Sequence, residues 1–228
     1  MRRFIEPLLS NGLAHCLYLC LNKRNHFREP ASLTIHKRQP HADYDNYEDK
    51  DALRKSLVAE QRGLCCYCQS RIRPDANNMK IEHWQCRADY PDRQLDYSNL
   101  LGACLGGHGR PEREQHCDTS KGNRTLRFCP ADPEHPIELH IKFLGNGEIA
   151  SDDDAINAAL NDILNLNLDR LVSNRKAVLD AFKERLGKGK LNAARELEKW
   201  DGTQHGDLPE YAQVMVFWLR RRLRKITP

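Results

Sequence analysis

The chain has 228 residues, of which 36 are Lys or Arg and 32 are Asp or Glu, so its formal net charge is +4. Charged residues make up 30% of the sequence and the mean hydropathy is −0.74, and no segment approaches the roughly 20 apolar residues of a membrane helix. This composition excludes a membrane-spanning protein, and the mildly basic balance permits nucleic-acid binding without requiring it.

The first 30 residues have no clear hydrophobic period. Glu6, Asn11 and His15 interrupt the apolar stretch that a signal peptide would need, and no small-residue cleavage site follows. We interpret residues 1–30 as an N-terminal extension and expect the protein to be cytoplasmic.

A helix is predicted just before the cysteine-rich segment. Leu53, Leu57 and Val58 recur at helical spacing within residues 49–62, and Gly63 follows where a helix would end. This helix would lead the chain directly into its first pair of metal-ligand cysteines.

A β-hairpin and several helices are predicted beyond the cysteine-rich segment. Apolar and polar residues alternate over 137–143, and the Asn-Gly pair at 146–147 tolerates positive φ, as a hairpin turn requires. Apolar residues then recur at helical spacing over 160–186. A final helix is predicted to open at Pro209 and to end in the basic run 220–225, which suits either the helix dipole or contact with phosphate.

The nine cysteines cannot all pair in disulfides within the chain, because their number is odd. Cysteines clustered near histidines in a polar chain indicate metal binding in a reducing compartment. Cys65 and Cys68 form a CxxC pair, which supplies half of a tetrahedral Zn²⁺ site. The alternative for each thiol is a buried, small apolar residue.

Two pairs of residues can complete the zinc site. His83 and Cys86 have the more regular spacing, with 14 residues between Cys68 and His83. Cys104 and Cys117 are separated by 12 residues, but this segment is rich in glycine and can fold back on itself. Composition does not decide between the pairs, whereas the residues around them do.

Those residues form a second, catalytic constellation. Residues 79–84 are predicted to form a short strand containing Glu82-His83, and a carboxylate next to an imidazole suits metal-assisted phosphodiester hydrolysis. The histidine is largely neutral and basic at cytosolic pH. Asn99 can orient the imidazole, and Asp118 can supply a second oxygen ligand to the metal.

Two basic residues follow this constellation, and we expect both to contact the nucleic acid. Lys121 and Arg124 are predicted to lie on one short helix after Asp118, from which they can reach a phosphate. The oxygen-rich metal shell favours Mg²⁺ or Mn²⁺ for the catalytic ion.

The motif resembles the signature of the HNH nuclease family in its zinc-braced form. The resemblance implies that His83 is the general base and Asn99 the orienting residue. It implies that Glu82 and Asp118 bind the catalytic metal. It also implies a structural zinc bound by Cys65, Cys68, Cys104 and Cys117.

The sequence departs from this family's pattern at two places. Cys104 and Cys117 are separated by 12 residues instead of the usual two, which leaves His108 or His116 open as a substitute zinc ligand. Asp118 occupies a position where His or Asn is commoner, so the second ligand of the catalytic metal departs from the family's usual set.

A narrower resemblance covers roughly residues 30–190. Segments 43–44, 57–68, 96–101 and 165–168 resemble the group of HNH effectors called PtuB, from Septu-type and retron-associated anti-phage systems. The resemblance implies an effector that works with an ABC-type ATPase, PtuA, in some cases together with a retron reverse transcriptase and its RNA–DNA hybrid. The implied substrate is nucleic acid, with DNA favoured and RNA or transfer RNA left open.

We therefore predict an α+β fold with a zinc-braced, treble-clef-like ββα-metal core, flanking helices and a β-hairpin. Residues 31–130 would form the nuclease domain, and residues 131–228 a hairpin and helices that dock a partner. The function predicted is metal-dependent hydrolysis of nucleic acid. The alternative is a non-catalytic zinc module that binds nucleic acid or a protein partner through Cys65, Cys68, His83 and Cys86.

Overall fold

The computed structural model describes residues 29–132, 137–187, 192–200 and 206–226. All but the last two residues of the predicted N-terminal extension lie outside these ranges. The helices are α1 (Ala31–His36), α2 (Lys50–Glu60), α3 (Cys117–Lys121), α4 (Asp154–Ala158), α5 (Asp169–Gly187), α6 (Ala193–Trp200) and α7 (Ala212–Ile226). The strands are β1 (Met79–His83), β2 (Leu100–Cys104), β3 (Ile141–Phe143) and β4 (Ile149–Ser151).

The strands form two small antiparallel sheets, β1–β2 and β3–β4, among the helices. In the first sheet Glu82 lies opposite Leu101, and His83 lies opposite Leu100. Short 3₁₀ turns connect several elements, and α4 continues into a π-helical turn, Ala159–Ile163. The mixed α and β architecture predicted from the sequence is confirmed. None of the described helices is long and apolar enough to cross a membrane.

Helix α2 forms where the sequence predicts it. The Asp49 side chain caps its N-terminus by accepting a hydrogen bond from the backbone of the first turn. Leu53 and Leu57 lie on one face and are fully buried. Gly63 has a φ of +77° shortly after the helix ends, which directs the chain into the cysteine-rich segment.

The hairpin is confirmed but is shorter than the alternating pattern predicts. Residues 137–139 form a 3₁₀ turn, and only β3 pairs with β4. Leu139 is 74% exposed, so its side chain, at this end of the alternating segment, has no core to pack against. Gly147 at the turn has a φ of +96°, and a Cβ atom there would lie 2.3 Å from the Val172 carbonyl oxygen. Glycine is therefore required at this position.

The C-terminal helices are also present, and α7 begins three residues after the predicted start at Pro209. One hydrophobic cluster joins the cysteine-rich segment to helices α5 and α7, with Leu101, Leu179 and Leu219 all fully buried within it. The Cys117 N–H donates to the Leu164 carbonyl at 2.8 Å. The predicted nuclease and C-terminal regions thus share a core, and their division at residue 130 stays a prediction.

Candidate metal centre and adjoining cleft

Four cysteines from distant parts of the chain meet in the interior. Cys65 and Cys68 follow α2, Cys104 ends β2, and Cys117 begins α3, and their sulfur atoms all lie within 4.8 Å of one another. The Sγ–Sγ distance is 3.9 Å from Cys65 to Cys117 and 3.7 Å from Cys68 to Cys104. Sulfur atoms bound tetrahedrally to one Zn²⁺ at about 2.3 Å lie about 3.8 Å apart. The cluster is therefore compatible with zinc.

The thiols also influence one another's ionisation. Hydrogen bonds with Cys104 and Cys117 lower the pKa of Cys68 to about 6. The Cys104 backbone N–H points at the Cys65 sulfur, with an N–S distance of 3.3 Å. Burial raises the pKa of Cys117 in turn, so without a metal some of these sulfur atoms favour the thiolate, the form that binds zinc, and others favour the thiol.

A buried glutamine that is not among the predicted site residues holds the first cysteine pair against the sheet. Gln61 is 2% exposed, and its side-chain amide donates to the Leu64 and Gly102 carbonyls at 2.8 and 2.7 Å. Its carbonyl oxygen accepts from the Gly102 N–H at 2.6 Å. These bonds fix the turn that carries Cys65 relative to β2, which ends in Cys104.

His116 lies beside the cluster as a hydrogen-bonding neighbour. It is 2% exposed, and its Nδ1 lies 3.0 Å from the Cys117 sulfur. The Arg170 guanidinium contacts His116 Nε2. Because arginine only donates, Nε2 accepts and Nδ1 carries the proton that points at Cys117. Such bonds stabilise zinc-bound thiolates, and nothing in the sequence around Arg170 indicates this contact.

The alternative zinc set of Cys65, Cys68, His83 and Cys86 does not come together in the structure. Within the described ranges, the four cysteines are the one group of three or more Cys, His, Asp or Glu side chains close enough to share a metal, and neither His83 nor Cys86 belongs to it. The Cys86 thiol instead donates to the Asp89 carboxylate at 3.2 Å. His108, a predicted substitute ligand, is exposed to solvent and also lies outside the group.

An open cleft of about 520 Å³ lies at the C-terminal end of β1 and beside α3. Three of the predicted site residues, Glu82, His83 and Asp118, line it together. Residues far apart in the sequence therefore reach one solvent-accessible surface.

Glu82 is the most buried acid of the cleft, with an exposed fraction of 2%. Its Oε1 accepts a hydrogen bond from the Tyr67 hydroxyl at 2.8 Å and lies 2.9 Å from Lys121 Nζ. Burial raises the pKa of Glu82 well above its usual value, and the adjacent Asp118 carboxyl raises it further. Two adjacent carboxylates repel each other unless one is protonated or a cation lies between them. This donor set fits a divalent cation with a preference for oxygen ligands, such as Mg²⁺ or Mn²⁺.

The imidazole of His83 is held in one orientation. Its Nε2 lies 3.0 Å from the Gln94 carbonyl oxygen, and because that oxygen only accepts, Nε2 carries the proton. The Tyr44 ring packs edge-on against it, with ring centroids 4.5 Å apart. Burial lowers the pKa of His83 to about 4. The ring is therefore neutral at pH 7, with Nδ1 as its basic atom.

Asn99 lies near this histidine and is hydrogen-bonded to the loop that contacts the imidazole. It is fully buried, and its oxygen accepts from the Gln85 N–H at 2.8 Å. Its amide group donates to the Gln85 and Arg93 carbonyls at 3.0 and 3.1 Å. The described hydrogen bonds of Asn99 thus fix the loop that presents the Gln94 carbonyl to His83. Asn99 can therefore orient the imidazole through this loop, and its orienting role stays a prediction.

The two basic residues predicted to contact phosphate are engaged elsewhere. Lys121 is 1% exposed and also donates to the His83 carbonyl at 3.2 Å, so it faces the interior. Arg124 is exposed but lies beyond the end of α3, where its guanidinium donates to the backbone carbonyls of Ser120, Lys121, Asp162 and Ile163.

Comparison with known proteins identifies one similar protein. No protein-family model matches the chain. The chain is similar to Septu protein PtuB of Bacillus thuringiensis. The two are 24% identical over 130 residues, a match that covers 57% of this chain and 47% of that protein. The match thus spans about half the length of the curated relative, and it supports a Septu-like relation.

The buried position of Lys121 leads to a stability prediction. Removing one partner of a buried ion pair leaves an uncompensated charge, so we expect Lys121→Met to lower the free energy of unfolding by about 3–5 kcal/mol. Urea denaturation at pH 7 measures this change. Lys55→Met, on the exposed face of α2, serves as the control and should change stability by less than about 0.5 kcal/mol. Equal unfolding free energies for the two variants would contradict the structural role of Lys121.

Proposed function

We propose that the chain is a metal-dependent endonuclease of the HNH type, which hydrolyses phosphodiester bonds of nucleic acid. The observation that carries the proposal is the cleft lined jointly by Glu82, His83 and Asp118. The cleft is lined by residues of β1 and α3, and the chain order β1, β2, α3 is that expected of a ββα-metal core, with the four-cysteine cluster as its zinc brace.

Glu82 and Asp118 would hold the catalytic metal. When bound, Mg²⁺ or Mn²⁺ would polarise the phosphodiester group and stabilise the charge that develops on the leaving oxygen. The Tyr67 hydroxyl and the Lys121 ammonium both contact one oxygen of Glu82. They fix the carboxylate in place, which leaves its second oxygen for the metal. Lys80 lies 3.5 Å from Asp118 and balances part of its charge.

His83 would act as the general base. Its neutral Nδ1 accepts a proton from a water molecule, whose oxygen forms a bond to phosphorus while the bond from phosphorus to the leaving oxygen breaks. The leaving oxygen then takes a proton from solvent. Gln94 and Tyr44 keep Nδ1 in position, since one binds the opposite ring nitrogen and the other packs against the ring.

The similarity to Septu protein PtuB supports a further step of the proposal. The chain would be the nuclease effector of a Septu-like anti-phage defence system, acting in the cytoplasm. Its partner would be an ABC-type ATPase resembling PtuA, which would dock on the helical C-terminal region, in some systems with a retron reverse transcriptase and its RNA–DNA hybrid. DNA is the favoured substrate, and RNA or transfer RNA is the alternative.

The test is cleavage of supercoiled plasmid DNA and of total cellular RNA by the purified chain together with any protein that co-purifies. We expect cleavage with Mg²⁺ or Mn²⁺, loss of cleavage in EDTA and recovery when excess metal is added. Asp118→Asn should reduce the rate at least about a hundredfold, because a bound metal supplies several kcal/mol of transition-state stabilisation.

Asp92→Asn is the matched control, since Asp92 is exposed and does not line the cleft. It should cut at the wild-type rate. Cleavage that persists in EDTA, equal rates for the two aspartate variants, or no cleavage of either nucleic acid would overturn the proposal.

A further inference from the structure

One arginine lines the proposed active-site cleft. Arg87 lies in the loop after β1, and its side chain is 41% exposed. Its Nη1 lies 2.7 Å from an Asp45 carboxylate oxygen, and its guanidinium carbon lies 4.9 Å from the centroid of the Tyr44 ring. Since the same ring packs edge-on against His83, Tyr44 fixes the guanidinium relative to the imidazole.

The charge of the cleft makes this arginine significant. Of the described residues that line the cleft, Asp45, Glu82 and Asp118 are acidic, and Arg87 is the only lysine or arginine. A nucleic-acid strand is itself an anion, so a protein cation at the surface, in addition to the proposed catalytic metal, favours its approach to these carboxylates. Lys121 does not supply that cation, because it is buried against Glu82.

We infer that Arg87 binds a phosphate group of the nucleic-acid strand in the cleft, and that Asp45 occupies its guanidinium until the strand displaces it. The inference rests on the proposed nuclease function and names the group that holds its substrate. A guanidinium binds phosphate through two parallel N–H bonds, as it binds a carboxylate, so one anion can replace the other. The Asp45 side chain is 79% exposed, and an ion pair to so exposed a carboxylate is weak.

The test compares two variants that should act in opposite directions. Arg87→Ala should weaken binding of a fluorescein-labelled DNA duplex about tenfold and make log Kd less dependent on log salt by about one unit, the effect of losing one phosphate contact. Arg87→Lys should restore part of the affinity. Asp45→Asn should instead tighten binding about threefold, because it removes the competing anion. Fluorescence anisotropy over a range of NaCl concentrations, with RNA of the same sequence in parallel, measures these effects.

Arg110 and Glu114 provide matched controls. They form a similar exposed pair, 3.6 Å apart, and do not line the cleft. Arg110→Ala and Glu114→Gln should leave the affinity and its salt dependence at the wild-type values.

Two outcomes separate this inference from the proposed function. A wild-type protein that cuts DNA or RNA, with Arg87→Ala binding and cutting equally well, would overturn the role of Arg87 alone. A correctly folded wild-type protein that neither binds nor cuts nucleic acid would overturn both. Loss of affinity in Arg110→Ala equal to that in Arg87→Ala would also overturn the inference, because it would show a general effect of surface charge.

Discussion

Replacing Cys117 by serine is expected to release the zinc and to lower the melting temperature by about 10 °C or more. A structural Zn²⁺ binds with about 10–16 kcal/mol in small zinc domains, and this free energy is also folding free energy. Loss of even about 4 kcal/mol corresponds to roughly 8–16 °C in a chain of this size. Cys117 is fully buried, so its loss also disturbs the start of α3 and the position of Asp118.

Cys86→Ser is the matched control for this experiment. Cys86 is also buried, but its thiol donates to Asp89 and it does not belong to the cysteine cluster. Zinc content measured by mass spectrometry should stay at one ion per chain in Cys86→Ser and fall in Cys117→Ser. Zinc lost from Cys86→Ser but retained in Cys117→Ser would contradict the cluster and restore the rival zinc module.

Secondary-structure elements that depend on residues close together in the chain could be predicted from the sequence. Helix α2 has a capping aspartate, a buried leucine face and a glycine beyond its end, and each of these acts within a few residues. The turn of the β3–β4 hairpin depends on Gly147 in the same way. The length of β3 could not be predicted from the sequence. The alternating pattern indicates which side chains are suited to packing, but it does not show whether the fold places a core beside them.

The choice of zinc ligands shows how spacing alone misleads. The regular spacing favours His83 and Cys86, whereas the observed cluster uses Cys104 and Cys117. That pair meets because the glycine-rich segment between them turns back: Gly106 has a φ of +57°, and a Cβ atom there would lie 2.2 Å from the His116 carbonyl oxygen. Such a long-range return is not visible in the spacing, and the observed set was favoured instead by the surrounding residues and by the motif resemblance that they carry.

The environment of Lys121 could have been predicted from the helix period. Lys121 lies four residues after Cys117 on α3, and residues at this separation share a helix face. Cys117 faces the interior as a predicted zinc ligand, so the helix period indicates that Lys121 faces it too, although the φ of +56° at Cys117 departs from helical geometry. The contact between Arg170 and His116 has no such signal, because it joins α5 to the cluster only after the whole chain has packed.

The cysteine cluster and the cleft are mechanically connected through α3. The helix begins at Cys117 of the cysteine cluster, continues with Asp118 in the cleft, and ends with Lys121 against Glu82. In the proposed nuclease, the zinc would therefore set the separation of the two acids that hold the catalytic metal. A variant of the cleft itself should leave the zinc unaffected, and this allows structural and catalytic effects to be measured separately.

His83→Ala is the cleft variant with the largest expected effect. A positioned general base contributes about 10²–10⁴-fold to the rate, so we expect cleavage to fall by that factor. Single-turnover cleavage of whichever nucleic acid the wild type cuts measures the chemical step without product release. Zinc content should stay at the wild-type value, because His83 is not part of the cysteine cluster.

Two further variants separate the chemistry of His83 from its packing. His83→Asn retains a polar side chain that can still donate to the Gln94 carbonyl, but it offers no basic nitrogen, so it should be as inactive as the alanine variant. His108→Ala removes an exposed histidine outside the cleft and should cut at the wild-type rate. If His83→Asn cuts at the wild-type rate, the imidazole serves only to position the loop, and the base has to be sought elsewhere in the cleft.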